Sequence, residues 1–170
     1  MAEELQLKLL GNLEIRRSGS LVTGFTSNKV QALLCYLAVT GRPHLRPVLA
    51  GLLWGESPEA SALNGLRQAL TNLRQLVGPH VSITREDVAF NLELPYQLDV
   101  RAFEARVAGA CVQDTQAGSG IKGLEEAVAL YRGDFLEGFY VHHAPGFEEW
   151  ALAQRARLHE LAVQAMHALR

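Results

Sequence analysis

The stretch SPEASALNGLRQALTNLRQLVGP, residues 57–79, decides the fold. Its apolar residues recur at three- and four-residue spacing, which is typical of the buried face of a helix: Leu63, Leu66, Leu70, Leu73 and Val77. Ser57-Pro58 predicts the start of this helix, with Pro58 at the first helical position, and Gly78-Pro79 predicts its end. The sequence therefore predicts one long amphipathic helix between two clear breaks.

A hairpin is predicted directly after this helix. The stretch VSITREDVAFNLEL, residues 81–94, alternates apolar and polar residues around the polar turn Thr84 to Asp87. The apolar positions of the two arms are Val81 and Ile83, then Val88, Phe90 and Leu92.

Three short strands and two more helices are predicted upstream. The strands are Leu5 to Leu10, Leu13 to Arg17 and Leu21 to Val22, separated by turn residues. Thr26 or Ser27 caps a helix that closes at Gly41, and a second helix runs from about Arg46 to Trp54. A small antiparallel sheet, three helices and a hairpin is the order of a winged helix.

Pro95 marks a predicted boundary between a first domain, residues 1–95, and a second, residues 96–170. Beyond Pro95 we expect the chain to be helical throughout, with Asp99 as the cap of the next helix. The last helix is still apolar and periodic at Arg170, so we expect the chain to stop inside a helical array. The fold class is therefore α+β followed by all-α.

The distribution of charge along the chain indicates which half could contact DNA. The net charge is −2, but residues 1–95 carry nine Lys/Arg against eight Asp/Glu, whereas residues 96–170 carry seven against ten. This asymmetry fits contact with DNA by the first half only.

No apolar stretch approaches the roughly 20 residues that cross a bilayer, and Glu3 and Glu4 stand where a secretory signal is positive, so we expect a cytoplasmic protein without a membrane partner. Cys35 and Cys111 lie in apolar runs, far apart, and are expected to be buried.

Six motifs occur in a fixed order: KVQALLCYLAVTGRP, LLWGE, LRQALTNLRQLVG, LDVRAFE, LYRGDFLEGF and FEEWALAQRARLHELA. With these motifs the chain resembles the Streptomyces antibiotic regulatory protein family and, more broadly, regulators that carry the bacterial transcriptional activation domain. The resemblance implies an OmpR-type winged helix that binds direct repeats in promoter DNA. It also implies a tetratricopeptide-like helical domain for homodimer formation and contact with RNA polymerase.

Helical geometry, at about 100° per residue, divides the long helix into two faces. If the leucines face the core, then Asn64, Gln68, Thr71 and Gln75 face outward, with Arg67 and Arg74 on one flank and Asn72 on the other. No acidic residue occurs from Ser61 to Gln75. Amide side chains suit adenine edges in the major groove, and arginine suits guanine or phosphate. This face is therefore the predicted contact with double-stranded DNA, although a solvated helix face is the alternative.

Other cations could contribute to DNA binding. Arg85 lies at the predicted wing tip, but Glu86 and Asp87 beside it repel the DNA backbone, so we expect a small contribution from the wing. Between the first two helices, three residues are candidates for phosphate contacts: Arg42, His44 and Arg46. A solvated loop is the equal alternative.

Two patterns that suggest enzymes or cofactors lack their required context. Gly118 to Gly123 spells GxGxxG, but a predicted helix precedes it rather than a strand, which argues against dinucleotide binding. His142 and His143, with Asp134 and Glu137 upstream, could ligate a metal, but a polar loop explains them more simply. We therefore predict no cofactor, no metal and no enzymatic activity. The remaining rival to a DNA-binding regulator is a winged helix kept for protein interaction.

Overall fold

The structure, a computed structural model, describes residues 3–112 and 117–170. Strands β1 (Leu5–Lys8), β2 (Glu14–Arg17) and β3 (Ser20–Leu21) come first. Helix α1 (Asn28–Thr40), strand β4 (His44–Leu45) and helices α2 (Arg46–Trp54) and α3 (Glu59–Val77) follow. A short 3-10 turn (Gly78–His80) leads to strands β5 (Val81–Ile83), β6 (Asp87–Phe90) and β7 (Tyr96–Leu98). Helices α4 (Asp99–Val112), α5 (Ala117–Leu130) and α6 (Pro145–Ala168) complete the fold.

The first sheet has the strand order β3-β2-β1-β7. Strand β1 pairs antiparallel with β2 and parallel with β7, so that Leu7 lies opposite Leu98. The expectation that the chain is helical throughout beyond Pro95 is therefore wrong, because residues 96–98 form an edge strand. Three residues are too short for a visible alternation, and this strand is defined by its pairing with β1.

The second sheet forms the wing and has the order β4-β6-β5. Strands β5 and β6 are the predicted hairpin, with Val81 opposite Phe90. Strand β4 was not predicted and pairs His44 with Val88 and Leu45 with Asp87. The wing is thus attached to the amino-terminal end of α2 by backbone hydrogen bonds.

Helices α1 to α3 follow the predicted pattern, with one shift. Helix α1 ends at Gly41, which has a left-handed φ of 63° and donates its backbone N–H to the Leu37 carbonyl. Helix α3 begins at Glu59, so Pro58 is its N-cap residue and not its first helical residue. The predicted stripe of α3 faces the core, with Leu66, Leu70, Leu73 and Val77 buried and Leu63 half-buried.

The second half consists mainly of helices α4 to α6. Helix α5 packs against α4 and α6, and α6 also contacts α2. Ile121 of α5 is an exposed apolar residue, with 49% of its surface accessible. The side chain of Cys111 and residues 113–116 lie outside the described part of the chain, whereas Cys35 is buried as expected.

One apolar core runs through both halves of the molecule and contains, for example, Leu33 and Leu53 of the first half and Phe103, Phe135 and Phe147 of the second. The α+β class, a winged helix followed by a helical region, is confirmed. The domain boundary after residue 95 stays a prediction, since β7 joins the sheet of the first half and precedes α4 directly.

Candidate nucleic-acid interface

The outward face of α3 is polar and accessible. Asn64, Gln68, Thr71 and Gln75 are all exposed, and the only acidic residue of the helix is Glu59 in its first turn. The Thr71 hydroxyl donates to the Arg67 carbonyl at 3.1 Å. A helix face of this kind can present amide donors and acceptors to the edges of base pairs.

Arg67 and Arg74 lie on the flank of α3 that faces the wing. Together with Arg46 they surround a cleft of about 130 Å³, which Thr71, Leu70 and Ile83 also line. We call this feature the arginine cleft. Its three cations come from α2 and α3, while Ile83 comes from β5. No ion pair within the described residues joins any of the three arginines to a carboxylate.

Arg46 is held in place by the wing. Its Nε and Nη2 donate to the Thr84 carbonyl at 2.9 and 2.7 Å, and its backbone N–H donates to the Glu86 carbonyl at 3.0 Å. A guanidinium group has five N–H donors, so these two side-chain bonds leave others for a ligand. Sequence reasoning chose Arg46 but missed this attachment, because a two-residue strand such as β4 leaves no periodic signal.

The wing turn is organised by Thr84. Its hydroxyl donates to the Asp87 carboxylate at 2.8 Å and accepts the backbone N–H groups of Glu86 and Asp87. Arg85 is exposed at the tip. The Asp87 carboxylate is therefore bound within the turn itself, next to an accessible cation.

Asn72 does not lie on the outer surface, and its expected exposure is wrong. The side chain is 7% exposed, accepts the backbone N–H of Thr26 at 3.0 Å and donates to the Gly24 carbonyl at 3.2 Å. Asn72 fastens the loop before α1 onto α3. Because these bonds use both ends of the amide, Asn72 has no place in the interface.

His44 is also removed from the phosphate candidates. It is 4% exposed, and its Nε2 lies 2.7 Å from the Thr40 hydroxyl. Burial, and then the nearby Arg42, lower the pKa of His44 below its ordinary value. A buried imidazole whose pKa is lowered is not an accessible cation for DNA.

The candidate cofactor and metal patterns show no site. The GxGxxG segment lies within α5 and not between a strand and a helix. His142 and His143 are exposed, and His143 Nδ1 lies 3.1 Å from a carboxylate oxygen of Glu56. Across residues 3–112 and 117–170, no three His, Cys, Asp or Glu side chains are grouped closely enough to hold a metal ion. Within the same residues, no helix combines the length and apolarity needed to cross a membrane.

The second half of the chain is similar to a known protein family. Residues 98–170 match the family model described as bacterial transcriptional activator domain. Over these residues the chain is similar to that family, and we refer to residues 98–170 as the activator domain. The resemblance drawn from the sequence motifs is thereby confirmed, and the proteins that this chain resembles are regulators.

Two known proteins extend the likeness to the winged helix. The regulatory protein AfsR of Streptomyces griseus is 27% identical over 161 residues, which cover 89% of this chain and 16% of AfsR. The solved structure of Mycobacterium tuberculosis EmbR, in complex with a low affinity phosphopeptide, matches with a TM-score of 0.78 at 23% identity. That match covers 98% of this chain and 45% of the EmbR chain, so this chain spans less than half of either protein. The likeness to EmbR shows the fold alone.

The activator domain is joined to the winged helix at Asp99, which begins α4. Its carboxylate does not cap that helix as expected but accepts the backbone N–H groups of Leu9 and Leu10 at 2.9 Å, and Arg132 lies 3.3 Å away. Burial raises the pKa of Asp99, while the two N–H groups and Arg132 act in the opposite direction. A backbone bridge between Leu10 and Phe135 lies beside it. We call this set of contacts the Asp99 junction.

An aromatic cluster strengthens the attachment of the activator domain. Trp150 of α6 packs edge-on against Tyr36 of α1, with 4.8 Å between ring centroids, and also contacts Phe135 and Phe147. Aromatic pairs in such arrangements add to the stability gained from burial. The activator domain is therefore packed directly on the winged helix.

Proposed function

We propose that this chain is the sequence-specific DNA-binding part of a non-enzymatic transcription activator, with α3 placed in a major groove of double-stranded promoter DNA. The observation that carries the proposal is the exposed face of α3. It is free of acidic residues from Ser61 to Gln75 and is bordered by the arginine cleft. A negatively charged duplex meets only amides, hydroxyls and cations along this face.

The residues of the interface have different roles in this proposal. Asn64, Gln68, Thr71 and Gln75 read base edges, because amide and hydroxyl groups can pair with the donors and acceptors of the major groove. Arg46, Arg67 and Arg74 meet the phosphate backbone, which fixes the position of α3 without reading the sequence. Arg85 at the wing tip adds a peripheral backbone contact.

The activator domain supplies the protein contacts in this proposal. A homodimer formed through the helical region would place two winged helices on the direct repeats that the family resemblance implies, and contact with RNA polymerase would make the protein an activator. The match of residues 98–170 to the activator domain family supports both contacts.

A selection and titration experiment tests the assignment. Duplexes that bind the 170-residue chain are selected from a randomised library, and affinity is then measured on the preferred duplex and on a scrambled one. If Gln68 makes a bidentate base contact, then Gln68→Ala costs about 1–3 kcal/mol on the preferred duplex and little on the scrambled one.

The matched control is Gln164→Ala, because Gln164 is an exposed amide on α6, away from the interface. Gln164→Ala should change neither the affinity for the preferred duplex nor the affinity for the scrambled one. Binding that is indifferent to alanine at Asn64, Gln68 and Thr71 alike, or a selection that enriches no duplex, would refute the assignment and favour the protein-interaction alternative.

A further inference from the structure

We propose that the arginine cleft is a preformed site for one phosphate group of the DNA backbone, shared by Arg46, Arg67 and Arg74. This inference rests on the proposed function, because it names the chemical group that the wing side of the same interface binds. It differs from three separate phosphate contacts, which would be the usual expectation for three arginines on a DNA-binding surface.

The first argument is the charge within the cleft. Three arginine residues line one cavity, whereas its other lining residues are Leu70, Thr71 and Ile83, none of them acidic. Like charges repel each other at short distance, so this grouping is favourable when an anion lies between them. The apolar floor formed by Leu70 and Ile83 lowers the local dielectric constant and strengthens the attraction of an anion in the cleft.

The second argument is size. A cleft of about 130 Å³ holds a few water molecules or one tetrahedral phosphate group, and it is far smaller than the clefts of about 300–1,000 Å³ that usually bind organic ligands. Guanidinium groups match the oxygen atoms of a phosphate, since their planar N–H donors can bind two oxygens side by side. The phosphate oxygens can also accept the Thr71 hydroxyl in place of the Arg67 carbonyl.

The third argument is rigidity. Arg46 is fixed by its two hydrogen bonds to the Thr84 carbonyl, and the backbone of the same residue is bound to Glu86. Arg67 and Arg74 lie two turns apart on one helix. Arg46 is therefore in place before DNA arrives, and a phosphate bound between it and the two arginines of α3 would connect α2, α3 and the wing.

A salt titration on DNA distinguishes one shared phosphate from several. Each phosphate that is neutralised contributes about 0.9 to the slope of log K against log salt concentration. If Arg67 and Arg74 share one phosphate, the double variant Arg67→Gln/Arg74→Gln flattens the slope by about one unit in total, and its loss of affinity is smaller than the product of the two single losses. A total change of about two units, with multiplied losses, would overturn the shared site while leaving the proposed function intact. Lys122→Gln, an exposed cation on α5, is the control and should leave the slope unchanged.

A second measurement does not depend on DNA. Inorganic phosphate is titrated into the chain at constant ionic strength, and the Nε–H signals of the arginines are followed by NMR with chloride as the matched salt. We expect phosphate to shift the signals of Arg46, Arg67 and Arg74 together along one saturable curve, and the double variant to lose the shift at Arg46. Arginine signals that do not respond to phosphate would overturn the site. A saturable response in a protein that binds no duplex would keep the anion site and reject the DNA-binding function.

Discussion

The arginine cleft and the Asp99 junction differ in whether their charged groups have partners of opposite charge within the chain. At the junction, a carboxylate that is 9% exposed is surrounded by two backbone N–H groups and the guanidinium of Arg132, all from the same chain. In the arginine cleft, three arginines line a cavity, and none of the other lining residues is acidic. The charge of the first site is balanced by groups of the same chain, whereas no residue that lines the second site balances its cations.

This difference separates residues that hold the fold from residues available for binding. Removing a buried group whose partners lie within the protein leaves those partners unsatisfied, so the loss appears in the free energy of unfolding. Removing an exposed cation changes stability little, so its loss appears in the affinity for an anion. The comparison therefore predicts which substitutions change stability and which do not.

The largest effect is expected at the Asp99 junction. Asp99→Ala leaves the buried N–H groups of Leu9 and Leu10 without an acceptor, and each unsatisfied group costs about 1–3 kcal/mol of folding free energy. Urea unfolding of the 170-residue chain measures the loss. Glu149→Ala removes an exposed carboxylate of α6 and is the control, with an expected change within about 0.5 kcal/mol. Similar small changes for both variants would show that the junction contributes little to the fold.

A second contrast lies within α3 itself. Leu70 is 3% exposed beneath the interface, and Leu70→Ala should cost about 2–5 kcal/mol because it leaves a cavity in the core. Gln68 is exposed on the outer face, and Gln68→Ala should change stability by less than about 0.5 kcal/mol. Thermal unfolding of both variants measures the difference. Equal losses would mean that α3 is rotated relative to the orientation described above.

The helices of the winged helix could be predicted because each has its own local signals. Helix α2 begins at Arg46 and ends at Trp54 as expected, and the buried stripe of α3 follows its leucine spacing. Strands β4 and β7 could not be predicted, because two or three residues carry no period and both strands are defined by distant partners. The role of Asp99 was missed for the same reason, since the N–H groups that it binds lie about 90 residues earlier in the chain.

The candidate site could be predicted only in part. Helical geometry correctly separated the exposed residues Asn64, Gln68 and Gln75 from the buried leucines, but their contact with DNA stays a prediction. The grouping of Arg46 with Arg67 and Arg74 was not visible, because it depends on how the wing packs beside α3. Asn72 was misplaced because periodicity describes one helix alone, whereas the loop at Gly24 to Thr26 covers that flank.

The smallest expected effect is at Asn72. Like Asp99, this residue has its hydrogen-bond partners within the chain, although it lies on the helix proposed to bind DNA. Asn72→Ala removes two hydrogen bonds to the loop before α1, each worth about 0.5–1.5 kcal/mol. The loss should be local as well as global, so the backbone amide of Thr26 should exchange its hydrogen faster in the variant. Gln75→Ala, one turn away and exposed, is the control and should change neither stability nor exchange. At temperatures where both variants are fully folded, Asn72→Ala should leave the affinity for the preferred and the scrambled duplex nearly unchanged, because the residue positions a loop and reads no base. A selective loss on the preferred duplex would instead place Asn72 among the residues that read the sequence, and would require the loop at Gly24 to Thr26 to leave α3 when DNA binds.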